Sequence, residues 1–182
     1  FDITGDAPRF LAADTPDNFM NRTYHLELGP DNVVYATHRD HGLAVTRTDD
    51  RNNPEQAESI DEDDLSGMAS TGSHLWVSTH VGGLITYDIT TPDAPAELHR
   101  LEGMGNPWEP HMLGDRLYVA DNTDGVWVVS IADPDAPSLV GAVEAAGGVQ
   151  DLAFSSDGST LYAAAGGAGV EVFDLTDPDE PV

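Results

Sequence analysis

The sequence predicts an all-β fold, a β-propeller whose blades are four-stranded antiparallel sheets, and three observations carry the prediction. Four stretches copy one another: Val33-Val34-Tyr35-Ala36, Leu75-Trp76-Val77-Ser78, Leu117-Tyr118-Val119-Ala120 and Leu161-Tyr162-Ala163-Ala164. Seven residues after each aromatic stands a glycine (Gly42, Gly83, Gly125, Gly169) that opens an apolar run, and twelve residues after each glycine stands a proline (Pro54, Pro95, Pro137, Pro181). Three landmarks held in register through four copies, with aromatics 41, 42 and 44 residues apart, define a repeat of about 42 residues, as in propeller arrays.

Within a unit, β-branched and aromatic runs are broken by Gly, Asp, Asn and Pro, which reads as strands and turns. In the third unit this predicts strand a over Pro110–Leu113, b over Arg116–Ala120, c over Val126–Ile131 and d over Ser138–Val143. The c–d turn is Asp133-Pro134-Asp135-Ala136-Pro137, copied as Thr91-Pro92-Asp93-Ala94-Pro95 and Asp177-Pro178-Asp179-Glu180-Pro181. Proline presets φ for a turn and Asp bonds its own downstream backbone, so these carboxylates read as turn formers rather than ligands. Blades are expected at about 23–60, 65–101, 107–143 and 149–182. No unit can bury both faces of its sheet alone, so neighbouring blades must supply the core.

Aligned on strand c, Phe1-Asp2-Ile3-Thr4 falls opposite Tyr87-Asp88-Ile89-Thr90, which makes residues 1–13 a c- and d-strand remnant. That d strand could close the fourth blade into a four-bladed ring. However, Phe1–Thr4 and Phe173–Thr176 duplicate one strand, and the first residues are neither a start methionine nor a signal peptide. The expectation is therefore part of a larger propeller, of about six to eight blades, from a longer chain.

With 182 residues and 40% hydrophobic content, the chain can bury one real core. Seven Lys+Arg, all of them arginine, face 33 Asp+Glu, for a net charge of -26. Such a surface repels phosphate backbones and anionic membranes, which excludes nucleic-acid and lipid binding. No apolar run reaches the roughly 20 residues of a membrane helix, so no direct membrane insertion is expected. Extreme acidity without lysine resembles the proteins of halophiles, archaeal ones above all, where salt screens self-repulsion. The absence of cysteine removes disulfides and thiolate chemistry and leaves the compartment open.

The string Gly125-Val126-Trp127-Val128-Val129-Ser130-Ile131-Ala132-Asp133-Pro134-Asp135-Ala136-Pro137, with its copy from Gly169 to Pro178, resembles the repeat of the LVIVD family of β-propellers: a glycine, a β-run, an aspartate and then a "DPxxP" turn. The likeness covers nearly the whole chain and is weakest over Thr46–Arg51. It implies an exported or surface-attached propeller, commonly without an assigned activity, and brings no catalytic motif.

Propellers bind ligands mostly where the innermost strands begin. One equivalent position falls there at His25, Gly67, Glu109 and Asp151, in steps of 42 residues. His25, Glu109 and Asp151 would form an arc of imidazole and carboxylates able to share a divalent metal ion, with His111 as a further ligand. Their neighbours Tyr24, Trp108 and Gln150, with Ser66, are also unlike a plain strand start and extend the candidate ligand site. His38-Arg39-Asp40-His41 and His80 sit in b–c hairpins, where spacing alone fixes no common face. His74 and His99 read as solvated. Asp121-Asn122-Thr123-Asp124-Gly125 fails calcium-loop spacing and reads as a hairpin turn. Asn21-Arg22-Thr23 fits a glycosylation acceptor, a weak pointer to export. No nucleophile elbow, phosphate loop or dinucleotide fingerprint occurs.

Three functions follow as expectations. The first is a non-catalytic scaffold, extracellular or on the cell surface, that binds a protein or glycan partner. The second is a metal-dependent propeller oxidase or lyase, similar in outline to the methanethiol oxidase and selenium-binding group, although only one arc position is histidine here. The third is a lactonase-like hydrolase or quinone-cofactor dehydrogenase, on fold analogy alone.

Overall fold

The computed structural model of the chain describes residues 23–39 and 41–182. The predicted strand remnant at 1–13, Asn21 of the glycosylation pattern and Asp40 lie outside the described residues. The first sheet holds β1 (Thr23–Leu28), β2 (Val33–His38), β3 (Gly42–Arg47) and β4 (Glu55–Ile60), and the second holds β5 (Leu65–Ser70), β6 (His74–Thr79), β7 (Gly83–Asp88) and β8 (Ala96–Glu102). The third sheet is β9 (Pro107–Leu113), β10 (Arg116–Asp121), β11 (Gly125–Ser130) and β12 (Ser138–Val143). A three-stranded fourth sheet is β13 (Leu152–Phe154), β14 (Thr160–Ala164) and β15 (Val170–Asp174). Each sheet is an antiparallel meander in chain order. Successive first strands lie side by side, β1 on β5, β5 on β9 and β9 on β13, so the four sheets are blades whose inner edges follow one another.

Period-2 alternation explains how the blades join, because side chains of opposite parity leave opposite faces of a strand. Tyr35, Leu43 and Val45 of the first blade pack on Met68, Leu75, Val77, Ile85 and Tyr87 of the second. Trp76 and Leu84, from the other face of the second blade, meet Leu117, Val119, Val129 and Ile131 of the third. Tyr118, Val126 and Val128 meet Leu152, Leu161, Ala163 and Phe173 of the fourth. The repeat aromatic thus always points forward, into the joint with the next blade. Stability resides between blades, as expected for a unit that cannot bury both its faces.

The joint also explains why the aromatic and the proline turn keep register. The Tyr35 hydroxyl donates to the carbonyl of Pro92 in the next blade at 2.8 Å, and the Tyr118 hydroxyl to that of Pro178 at 2.9 Å. Burial pushes the Tyr35 phenol up to about 12, which keeps the donor protonated. Trp76 stands in the same place in the second blade, and its Nε1 is buried without a hydrogen-bond partner. The residue after each turn proline is clamped to the preceding blade: Asp93 by Arg47 at 2.8 Å, Asp135 by His74 at 2.7 Å and Asp179 by Arg116 at 2.5 Å. The turn aspartates therefore shape turns and also tie blades together. His74 is not solvated as expected; it stacks on Trp76 and points at Asp135.

Strand a of the third blade starts at Pro107, three residues before its predicted start at Pro110. The cause is a register shift between Val119 and Asp121, opposite Pro110 and Pro107. The repeat glycine has positive φ in three blades, 78° at Gly42, 100° at Gly125 and 86° at Gly169, whereas in the second blade Gly82 takes that role at 98°. Among the described residues no helix is long and apolar enough to cross a membrane.

Candidate functional site at the start of the inner strands

The β1–β2 register shifts between Thr23 and His25, β5–β6 between Leu65 and Met68, and β9–β10 opposite Trp108 and Glu109. Bulges re-aim side chains and interrupt pairing. Here they fall at Tyr24, at Ser66-Gly67 and at Trp108-Glu109, the positions singled out by the 42-residue step. The backbone is kept satisfied by hydroxyls: Thr37 Oγ1 accepts from the His25 N–H at 3.2 Å and donates to the Ser66 carbonyl. Ser66 Oγ lies 3.0–3.2 Å from the carbonyls of Ser78, Pro107 and Trp108.

His25 and Glu109 come together although a whole blade lies between theirs. Nδ1 of His25 is 3.0 Å from Glu109 Oε2, and its Nε2 is 3.7 Å from Glu27 Oε2. Glu27 in turn accepts from Ser70 Oγ at 2.6 Å. Gly67 makes the crossing possible, because a Cβ there would collide with the Glu109 carboxylate and approach the Trp108 carbonyl oxygen to 2.6 Å. The bond to Glu109, then the bond to Glu27, raise the His25 pKa to about 9 against the opposing cost of burial. For Glu27, burial raises the pKa, but the bonds from His25 and Ser70 outweigh it and the net shift is downward. At neutral pH the centre is an imidazolium between two carboxylates.

Beside this centre lies an aromatic group contributed by three blades. His80 packs edge-on against Tyr24, with centroids 5.6 Å apart, and against Trp108 at 5.0 Å. Asn106 holds it in place: its Nδ2 donates to the His80 carbonyl at 2.8 Å, and its Oδ1 accepts from Trp108 Nε1 at 2.6 Å. Burial lowers the His80 pKa, so this imidazole is neutral where His25 is charged. Tyr24, His80 and Trp108 are all partly exposed, and the ring edges form an open, half-wet platform.

The remaining predicted residues lie elsewhere. Asp151 precedes β13 and its Oδ1 is 3.0 Å from His111 Nε2, with its side chain 69% exposed. Gln150 is exposed and holds the backbone through its N–H to the Ala164 carbonyl. The expected metal set of His25, Glu109, Asp151 and His111 is thus divided into two separate pairs, His25 with Glu109 and His111 with Asp151. Among the described residues no group of three or more His, Asp or Glu could hold a metal ion together. His38 is buried, with Nδ1 3.4 Å from Thr23 Oγ1. Asp121, from the loose calcium-like string, is fully buried and organises its hairpin, accepting from the backbone N–H groups of Asn106, Thr123 and Asp124 and from Trp127 Nε1 at 2.8–3.2 Å.

Glu27, Ser70 and Asn106 were not among the sequence candidates. The legible signal was for Glu27 alone: residues 25 and 27 share one face of a strand.

The ion pair predicts a pH dependence. A pKa raised in the folded state stabilises fully below the ordinary value of 6.5 and ceases to as pH rises through about 9. Unfolding free energy should fall by about 1–2 kcal/mol between pH 6.5 and 10, after allowance for solvent screening of a partly exposed pair. Urea unfolding across that range checks this, and the fall should vanish in Glu109→Gln.

No protein-family model matches the chain, and no curated protein matches it at a significant level. Solved structures do match in fold. Hydrazine synthase of Kuenenia stuttgartiensis aligns with a TM-score of 0.71 at 15% identity, over 96% of this chain and 51% of that one. A functionally unknown protein from Desulfotomaculum acetoxidans aligns at 0.70 and 16% identity, over 84% and 51%. The computationally designed Ika8 protein aligns at 0.63 and 14% identity, over 82% and 45%. At these identities the likeness shows the fold alone, a propeller-like all-β architecture. The chain spans about half the length of the structures it matches.

Proposed function

We propose that the chain belongs to a non-catalytic propeller scaffold, exported or carried on the cell surface of a high-salt organism, that binds a protein or glycan partner where the inner strands begin. The observation that carries this reading is the commitment of the polar side chains there to one another. An imidazolium clamped between Glu109 and Glu27 has no lone pair for a metal or for proton abstraction near neutral pH. What the face offers a partner is the half-exposed group Tyr24, His80 and Trp108, whose rings present apolar edges and faces beside carboxylate acceptors. That combination suits the C–H face and hydroxyls of a sugar, or a protein loop that anchors on aromatics. The likeness to LVIVD repeats and the acidic, lysine-free surface support the same reading.

The test is binding to immobilised oligosaccharide and peptide panels in molar salt. Trp108→Ala should weaken the interaction at least about tenfold, the loss expected of an aromatic anchor. Binding that is unaffected in Trp108→Ala would remove this face from the reading. A metal ion that co-purifies with the chain and is lost in His25→Ala would favour the metal-dependent enzyme instead.

A further inference from the structure

The groove between the second and third blades, at their outer strands, brings an indole together with two carboxylates. Its volume is about 680 Å³, and it is lined by Trp127, Ala142, Thr123, Asp124, Glu144 and, from the connection that leaves the second blade, Gly103. Trp127 is fixed in place, because its Nε1 donates to Asp121 at 3.2 Å. Beside its partly exposed ring the space is open: its cross-strand partner is the exposed Ala142, and a Cβ on Gly103 would meet nothing within 4 Å. Asp124 is held over the same connection, since a Cβ on Gly105 would collide with its carboxylate. The indole N–H is already engaged, so apart from the Thr123 hydroxyl the polar lining offers a π surface and carboxylate acceptors. Among the described residues no Lys, Arg or His lines this groove.

The second blade shows what such a groove accepts. The copies of Trp127, Ala142 and Glu144, 42 residues earlier, are Ile85, Arg100 and Glu102, and they line a smaller groove of about 440 Å³. There the chain supplies its own cation. Arg100 lies across the strands from Ile85, and its Nη2 donates to Glu62 of the preceding connection at 2.6 Å and to Glu97 at 2.7 Å. In the third blade alanine stands in place of that arginine, tryptophan in place of Ile85, and Asp124 where the second blade has Gly82. The internal cation is gone, while an aromatic ring and a carboxylate have been added. A guanidinium is planar and weakly hydrated, stacks on an aromatic face and donates to carboxylates in a fork. An anion would find like charge here and no cation.

We propose that this groove binds a guanidinium group from outside the chain, seated against Trp127 with Asp124 and Glu144 accepting its N–H groups. The site is separate from the face formed by Tyr24, His80 and Trp108 and does not depend on a partner there. In molar salt, charges are screened beyond about 3 Å, so selectivity rests on direct contact with the ring and the two carboxylates. The guanidinium can arrive on an arginine side chain of a partner protein or on a small free molecule, and the recognition chemistry is the same.

Nuclear magnetic resonance of the nitrogen-15-labelled chain in molar potassium chloride can follow the indole N–H signals of its three tryptophans as N-acetylarginine amide is added. The Trp127 signal should move and saturate. N-acetylcitrulline amide, which carries a neutral urea in place of the guanidinium, should bind at least about tenfold more weakly. Ala142→Arg alters an exposed residue and recreates the arrangement of the second blade, so circular dichroism should be unchanged while affinity for the arginine probe falls by about tenfold or more. A Trp127 signal that stays still, equal affinity for the citrulline compound, or binding that survives Ala142→Arg would each overturn the proposal. A glycine-flanked arginine peptide then identifies the source. Tighter binding than N-acetylarginine amide assigns the groove to a partner's side chain, and equal or weaker binding assigns it to a small free cation.

Discussion

Replacing Asp121 by alanine should destabilise the protein by about 3–5 kcal/mol, a large part of what holds a domain of this size folded. The carboxylate is fully buried. It accepts three backbone N–H groups, those of Asn106, Thr123 and Asp124, and the indole N–H of Trp127. Alanine leaves these donors without their acceptor, and each buried unpaired donor costs about 1–3 kcal/mol. Asn106 belongs to the connection that enters the third blade, and Thr123 and Asp124 to the b–c hairpin, so the loss would loosen both together. Because Asn106 also holds Trp108 and the His80 carbonyl, the aromatic platform should lose order as well. Asp121→Asn keeps the shape but turns an NH2 toward N–H donors, and about 2 kcal/mol should be lost. Denaturant unfolding in molar salt measures both, and a loss below about 1 kcal/mol for alanine would contradict the account.

Asp121 also shows why repeats make some features legible and hide others. The equivalent b-strand residues are His38, Thr79 and Ala165, so nothing in the repeat marks Asp121 as an organiser; that role exists only once Asn106 and the hairpin meet it. The strands, the c–d turns and the interblade core were legible because they rest on alternation and turn chemistry, which are local and recur in each copy. The end of the blades where a site would lie was legible from the 42-residue step, and that step named both His25 and Glu109. Their meeting was not legible, since it depends on bulges that advance the inner strands and on the vacancy above Gly67. In the sequence Gly67 reads as the missing member of a series of polar residues. In the fold it is the reason two of the others touch. Asp151 fits the step equally well, yet it lies just before β13, where its carbonyl accepts from the Ala164 N–H, and His111 is the partner its side chain reaches.

Gly67→Ala should therefore have the second large effect, about 2–3 kcal/mol, as overpacking in a close joint does. The new Cβ meets two kinds of obstacle. The Glu109 carboxylate can swing aside at the expense of its bond to His25, but the Trp108 carbonyl oxygen, 2.6 Å from the Cβ position, is backbone, and the blades must separate to clear it. Two consequences distinguish this from mere loss of the ion pair. Glu109→Gln removes the charge and leaves the space, so its cost should appear only where His25 is protonated in the unaltered protein, below about pH 9, and should fade above it. Gly67→Ala should cost stability on both sides of that pH and should also lower the His25 pKa from about 9 toward its ordinary 6.5, which nuclear magnetic resonance of the imidazole can follow. Combining Gly67→Ala with Glu109→Ala should recover only part of the loss, because the carbonyl contact persists when the carboxylate is gone. Full recovery would mean that the side chain alone sets the spacing of the second and third blades.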